Sequence, residues 1–289
     1  MKTIEKIDLH IHTVASDGTD GPAELLSRVK EAGITLFSVT DHDAIDSCSS
    51  VHALLRKTDP AFIYGVEFSC RDEGGKYHIL GYGYDPKASC LRDLVEYCHT
   101  SRINRLQQRL DYLALEYGFT FAKEDTDALF ALRNPGKPHI GNLMVKYGYV
   151  PTKEIAIQNY LNKHKENGKR IRPEDAISAI NGAGGIPVLA HPCLGSGAEN
   201  IAEDDMKKRL EQLIPYGLKG VEAYYSGFTP SMQVEILTLA EEYGLYVTAG
   251  SDYHGTNKPV HLGYTHLDEA EDHPQGLLDF LHDVTVCRG

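Results

Sequence analysis

Seven short apolar runs limit this chain's fold more than any other feature. They are Ile7–Thr13, Leu36–Asp41, Ile63–Cys70, Tyr77–Tyr84, Ile186–His191, Gly220–Tyr225 and Tyr246–Asp252. Each is short and rich in Val, Ile, Leu or Tyr, the pattern of buried strands. Helical patterns separate several of them. One is Pro22–Gly33, with Thr19 or Asp20 placed to cap it and Gly33 to end it. Another is Arg172–Gly182, opened by Pro173-Glu174-Asp175 and closed by Asn181-Gly182, and a third is Ser231–Gly244. Alternating strands and helices predict a parallel α/β architecture. Seven strands predict a barrel with one unit fewer than the eightfold form.

Between Tyr84 and Ile186 the alternation stops. Leu91–Tyr117 reads as a long amphipathic helix, apolar at Leu94, Tyr97, Ile103, Leu106, Leu110 and Leu113. Further helices are expected over Thr126–Leu132, His139–Tyr147 and Thr152–Leu161. The chain therefore divides into a first barrel part (residues 1–97), a helical insertion (98–170) and a second barrel part (171–289). Charge separates these parts as well. The insertion holds 12 Lys+Arg against 7 Asp+Glu, whereas the whole chain is at −12. A basic insertion on an acidic barrel suggests a lid that clamps an anion; a solvated helical face explains the composition equally well.

The acidic balance argues against nonspecific binding of nucleic acid or anionic lipid over the whole surface. No run approaches 18 uninterrupted apolar residues, so no membrane span is expected. Met1–Lys6 lacks the apolar core of a secretory leader. The six cysteines show no CxxC and read as reduced thiols of a cytoplasmic protein, most of them small buried residues.

The chemistry gathers near the strand ends. The first strand carries His10 and His12, two residues apart, so both imidazoles point to one side. Asp17 follows in Ser16-Asp17-Gly18. The second strand ends in Thr40-Asp41-His42-Asp43, the third contains Gly65-Val66-Glu67, and the fourth begins with His78. The fifth ends in Ala190-His191-Pro192 and the seventh in Ser251-Asp252-Tyr253-His254. A lone Glu67 or His78 would ordinarily be structural. Six of the 14 histidines and three acids at successive strand ends are harder to dismiss. A buried set of carboxylates and imidazoles is costly unless metal ions satisfy it, and the rim of an α/β barrel is where active sites form. His52, His99, His261, His266, His273 and His282 lack such placement and are expected at the surface.

The order HxH, D, TDHD, GVE, H, AHP, SDxH resembles the PHP (polymerase and histidinol phosphatase) family of metal-dependent phosphoesterases, over roughly residues 5–90 and 172–255. The resemblance implies a distorted (β/α)7 barrel with a helical insertion domain. It extends to a subgroup acting on nucleotides through DLHxHTxxSDG, GVE(F/V)S, GGxxVLAHP and an insertion carrying RxxR, here Arg102-Ile103-Asn104-Arg105. The related insertion often has Arg two residues before a His. Lys137-Pro138-His139 stands there in this chain, keeping the charge but losing the bidentate fork.

The resemblance implies two or three divalent ions. The first would take His10, His12, Glu67 and Asp252, the second Glu67, His78 and His191, and the third Asp17, His42 and His254. Such ligands suit Mn²⁺, Zn²⁺ or Fe²⁺ better than Mg²⁺. The implied reaction is hydrolysis of a phosphate monoester by metal-activated hydroxide, with Asp252 as the catalytic proton acceptor. Substrate contacts would fall to Asp17, His42, Arg102, Arg105, Lys137 and His139. The expected partner is a small phosphorylated anion, namely a nucleoside 3′,5′-bisphosphate losing its 3′-phosphate or a short 5′-phosphorylated RNA. Neither a membrane nor a stable nucleic-acid complex is expected. Histidinol phosphate, or another small monoester, is the competing substrate. A metal-dependent amidohydrolase shares HxH and a rim Asp, but no lysine sits at a strand end here. A module that has lost its ligands is the remaining alternative, and no ligand position is lost.

Overall fold

A computed structural model describes residues 6–164, 170–195, 200–270 and 272–289. The start of the segment read for a secretory leader, Met1–Glu5, and residues 165–169 of the insertion lie outside them. Seven strands form one sheet in chain order: β1 (Ile7–Ile11), β2 (Leu36–Val39), β3 (Ala61–Asp72), β4 (Gly75–Tyr82), β5 (Ile186–Leu189), β6 (Gly220–Tyr225) and β7 (Tyr246–Gly250). The sheet closes on itself. Asp252 N–H donates to His10 O at 2.9 Å, and His12 N–H donates to Tyr253 O at 2.8 Å, so the chain leaving β7 is stitched to β1.

The expectation of a wholly parallel sheet is corrected at one strand. β4 runs antiparallel to both β3 and β5. Asp72 pairs with Gly75, leaving only Glu73 and Gly74 in the turn. A parallel return needs a crossover of a dozen residues or more, whereas two suffice for a hairpin. This reversal brings the middle of β4 to the end of the barrel where the parallel strands finish. His78 lies opposite Ser69, two residues past Glu67, and so reaches the same rim.

Helices α1 (Pro22–Glu31), α7 (Pro173–Gly182) and α9 (Pro230–Tyr243) match the expected segments, and α2 (Asp46–His52), α8 (Glu203–Leu213) and α10 (Gln275–Asp283) were not anticipated. Pro at the first helical position fits α1, α7 and α9, because its fixed φ suits a helix start and the missing N–H is not needed there. Neither Thr19 nor Asp20 caps α1, whose N-cap is Gly21. Asp20 instead accepts from Tyr253 Oη at 2.7 Å and pairs with Arg28, while Thr19 Oγ1 accepts from the Thr256 N–H. Asp20 therefore meets α1 through the Arg28 side chain rather than through the N–H groups of its first turn.

The insertion is built from α3 (Ser89–Tyr117), α4 (Lys123–Phe130), α5 (Lys137–Lys146) and α6 (Lys153–Ala156), which continues into a π-turn at Ile157–Leu161. Helix α3 runs unbroken through residue 98. Its Leu91, Val95 and Cys98 join the barrel core, while Leu106, Leu110 and Leu113 join a separate core with Ile140, Met144 and Leu161. The helix thus ties the two packing units together. One feature of α3 departs from its apolar pattern. Tyr97 is 47% exposed, whereas Arg105 and Arg109 are buried. No helix among the described residues is long and apolar enough to cross a membrane.

Candidate metal centre

The nine acids and histidines read from the strand ends meet at one rim of the barrel. Glu67 is at the middle. Its Oε1 lies 2.8 Å from His78 Nδ1 and 3.2 Å from His191 Nε2. Its Oε2 lies 3.0 Å from His42 Nδ1, 3.2 Å from His12 Nε2 and 3.4 Å from His10 Nε2. Asp252 Oδ1 sits 3.3 Å from both His12 Nε2 and His254 Nδ1, and Asp17 Oδ1 is 3.2 Å from His254 Nε2. Three groups of ligand atoms lie within 4.8 Å of one another: His12, Asp17, His42 and His254; His10, His12 and Glu67; and His42, Glu67 and His78.

These residues fit a set of divalent cations on their own chemistry. Glu67 Oε2 and Asp17 Oδ1 are buried without a hydrogen-bond partner among the described residues. His10 Nε2 faces His12 Nε2 at 3.1 Å. Imidazole nitrogens turned toward one another around unmet carboxylate oxygens are the donor set that a borderline divalent ion satisfies.

Buried residues behind the rim hold this arrangement. Glu222 in β6 is fully buried; its Oε1 lies 2.9 Å from His10 Nδ1 and its Oε2 accepts from the His191 N–H at 2.9 Å. A carboxylate behind a histidine fixes the ring's tautomer and aim. Gly250 makes room for it, since a Cβ there would stand 2.2 Å from His10 Cβ and 2.5 Å from Glu222 Oε1. Asp41 accepts from Thr13, Ser16 and Ser47 and so anchors the loop carrying Asp17. Asp252 Oδ2 accepts from Tyr225 Oη at 2.8 Å and from Lys258 Nζ at 2.6 Å. A lysine does reach the rim, then, but from the loop after β7 rather than from a strand end. His191 and Asp252 both adopt positive φ (30° and 58°), conformations that non-glycine residues hold only under surrounding constraint. Glu222 had a sequence signal, an acid inside an apolar strand. Lys258 had none.

A cavity of about 780 Å³ opens from Asp17, His42 and His78 toward the insertion. Among the described residues, seven arginines and lysines line it against the single carboxylate of Asp17. Arg105 and Lys137 are on this wall; His139 is not, and the Gly136 N–H donates to its Nδ1 at 3.1 Å. Arg102 also lines the cavity, but its guanidinium is engaged by Asp43 through Nε (2.7 Å) and Nη2, with Ser69 Oγ at 3.1 Å. Replacing Arg102 with Ala would leave buried Asp43 without its cation, a loss of about 3–5 kcal/mol. The variant's Tm is expected to fall accordingly.

The charges of the cluster are set by opposing effects. Burial pulls His12 down, but the neighbouring carboxylates of Asp252 and Glu67 outweigh it and raise the imidazole to about 9. His10 rises likewise, burial being overcome by Glu222 and Glu67. Burial lowers His78 to about 4 and also lowers His254. An unfolded histidine titrates near pH ~6.5. For the raised pair, stability is full below that pH and is lost as pH rises toward about 9. For the lowered pair it is present above ~6.5 and lost as pH falls toward about 4. The Tm of metal-free protein is therefore expected to peak near pH ~6.5. Because bound divalent ions require neutral imidazoles, the Tm gain on adding Mn²⁺ should grow from pH ~6.5 to pH ~9. A flat profile would contradict this account.

A family model described as PHP domain matches residues 8–171. The chain is 27% identical over 265 residues to a 5′-3′ exoribonuclease of Haemophilus influenzae, covering 90% of this chain and 93% of that one. It is 27% identical over 257 residues to a 3′,5′-nucleoside bisphosphate phosphatase of Chromobacterium violaceum, covering 86% and 87%. A solved structure from Bifidobacterium adolescentis, described as a metal-dependent phosphoesterase, superposes with a TM-score of 0.80 at 26% identity, covering 98% and 97%.

Proposed function

The chain belongs to the PHP domain family and is a metal-dependent phosphoesterase, and from that premise we propose that it removes a phosphate monoester from a nucleotide carrying a second phosphate. The favoured substrate is a nucleoside 3′,5′-bisphosphate cleaved at the 3′ position, with short 5′-phosphorylated RNA second. One observation carries this reading: a single cavity joins the acid and imidazole rim to a wall of cations on the insertion. A simple monoester needs only the rim, whereas a second phosphate explains the wall.

The rim residues would hold two or three ions, with Glu67 shared among them and His10, His12, Asp17, His42, His78, His191, Asp252 and His254 around it. Mn²⁺, Zn²⁺ and Fe²⁺ suit these ligands. Such ions, when bound, acidify water and offset charge on phosphate oxygens. The chain's own groups do the rest. Asp252 is buried, yet Lys258 and His10 hold its carboxyl well below the usual range, so it stays ionised and its Oδ1 can accept the proton of the attacking water. Tyr225 and Lys258 fix the other oxygen and thereby aim the first. Arg105 and Lys137 would hold the second phosphate by charge-assisted hydrogen bonds.

Phosphate release should be compared across adenosine 3′,5′-bisphosphate, AMP and histidinol phosphate, and release of the 5′-mononucleotide measured from a short 5′-phosphorylated RNA, all with Mn²⁺ added. The bisphosphate is expected to have the highest kcat/KM, and faster release from histidinol phosphate would replace this reading. Arg105→Met is expected to raise KM for the bisphosphate roughly 10- to 100-fold, with little change on phenyl phosphate. Equal losses on both would remove Arg105 from the second-phosphate site.

A further inference from the structure

Asn134 occupies the loop between α4 and α5, before Pro135, which disfavours helical backbone there. Its neighbour Arg133 turns outward and pairs with Asp46 and Glu96, each at 3.2 Å. His99 Nδ1 donates to the Arg133 carbonyl at 2.6 Å. Anchored on that side, the loop points Asn134 inward. The residue is 4% exposed and lines the cavity that begins at the metal rim. Neither its Nδ2 nor its Oδ1 finds a hydrogen-bond partner among the described residues. A buried carboxamide with both ends unmet is unfavourable, and where a native protein retains one, a ligand or water is expected to complete it.

The cavity identifies the ligand group. Arg105 and Arg109 on the same wall supply donors for anions. A phosphate dianion has no proton to offer Asn134 Oδ1, so it satisfies only half of the amide. The Watson–Crick edge of every nucleobase sets an N–H donor beside an acceptor, and a carboxamide can flip to match either order. We propose that Asn134 forms a nucleobase-edge subsite on the insertion wall, where its unmet Nδ2 and Oδ1 grip the base of the bound nucleotide. This rests on the nucleotide reading above and adds to it: the insertion recognises the base as well as the second phosphate, without selecting which base.

The test uses the full-length protein with Mn²⁺, adenosine 3′,5′-bisphosphate, and its base-free analogue bearing hydrogen at C1′. Wild type is expected to favour the nucleotide by roughly 10- to 100-fold in kcat/KM, the range for a bidentate amide–base contact. Asn134→Ala should lose that preference by slowing the nucleotide while leaving the analogue unchanged. Asn134→Leu should do the same without lowering the Tm of the free protein, because it removes unmet polar atoms rather than a structural bond. A wild type that turns over both substrates equally would overturn the subsite alone. Equal slowing of both by Asn134→Ala, or a clear drop in Tm with Asn134→Leu, would also overturn it. A wild type inactive on both would overturn the nucleotide reading together with the subsite.

Discussion

Glu67→Gln is expected to cut phosphomonoester turnover at saturating Mn²⁺ by about 10³-fold or more, the scale of a metal site's several kcal/mol of transition-state stabilisation. Glu67 reaches five of the six rim imidazoles through its two oxygens. Its charge is also set by the cluster: burial favours its neutral form, yet the imidazoles of His42, His78 and His10 hold its carboxyl well below the usual range. An amide has nearly the same shape but one charge fewer, and it turns an N–H₂ toward ring nitrogens or cations. The change should thus remove ion binding rather than the fold. Chelated wild type provides the matching control and should be as inactive as the variant. Near-normal turnover by Glu67→Gln, with metal content unchanged, would mean that the rim is not the reaction centre.

Glu222 makes the second large prediction, since it touches no substrate in this account. It aims His10 through Nδ1 and holds His191 through the backbone N–H. Glu222→Gln can keep one of these contacts but must then turn its amide nitrogen toward a donor at the other. Outer partners of this kind typically change metal affinity 10- to 100-fold. Titration of metal-free protein with Mn²⁺ should show weakening of roughly that size, while kcat at saturating metal falls much less. A purely structural role would instead lower Tm and leave the Mn²⁺ affinity of the folded fraction intact.

Much of this molecule was legible in its residues because strand periodicity and ligand spacing are local properties. The seven apolar runs correspond to seven strands, and a two-residue step puts His10 and His12 on one side whatever surrounds them. The reversal of β4 was legible in principle, since Glu73-Gly74 is too short for any crossover, but strand–helix alternation elsewhere obscured it. Helices α2 and α10 escaped notice because they are short, and tertiary packing rather than propensity stabilises helices of that length; α8 is longer than α1 but lacks the opening proline that marks α1, α7 and α9.

The cationic wall was less legible. Arg102, Arg105 and Arg109 fall on one side of α3, and helical spacing alone would place them in solvent. The structure buries Arg105 and Arg109 against the cavity and ties Arg102 to Asp43, 59 residues earlier in the chain.

The sequence by itself determined the strands, the spacing of the acids and histidines, and the basic character of the insertion, because each depends on residues near one another in the chain. Tertiary structure alone decided that Glu67 would stand among five imidazoles, that Glu222 would back His10 from 212 residues away, and that Asn134 would line the cavity with its buried amide unmet. Those outcomes depend on which buried polar groups meet across the closed barrel and its insertion. A hydrogen bond between distant residues exists only once the chain has brought them within about 3 Å of each other.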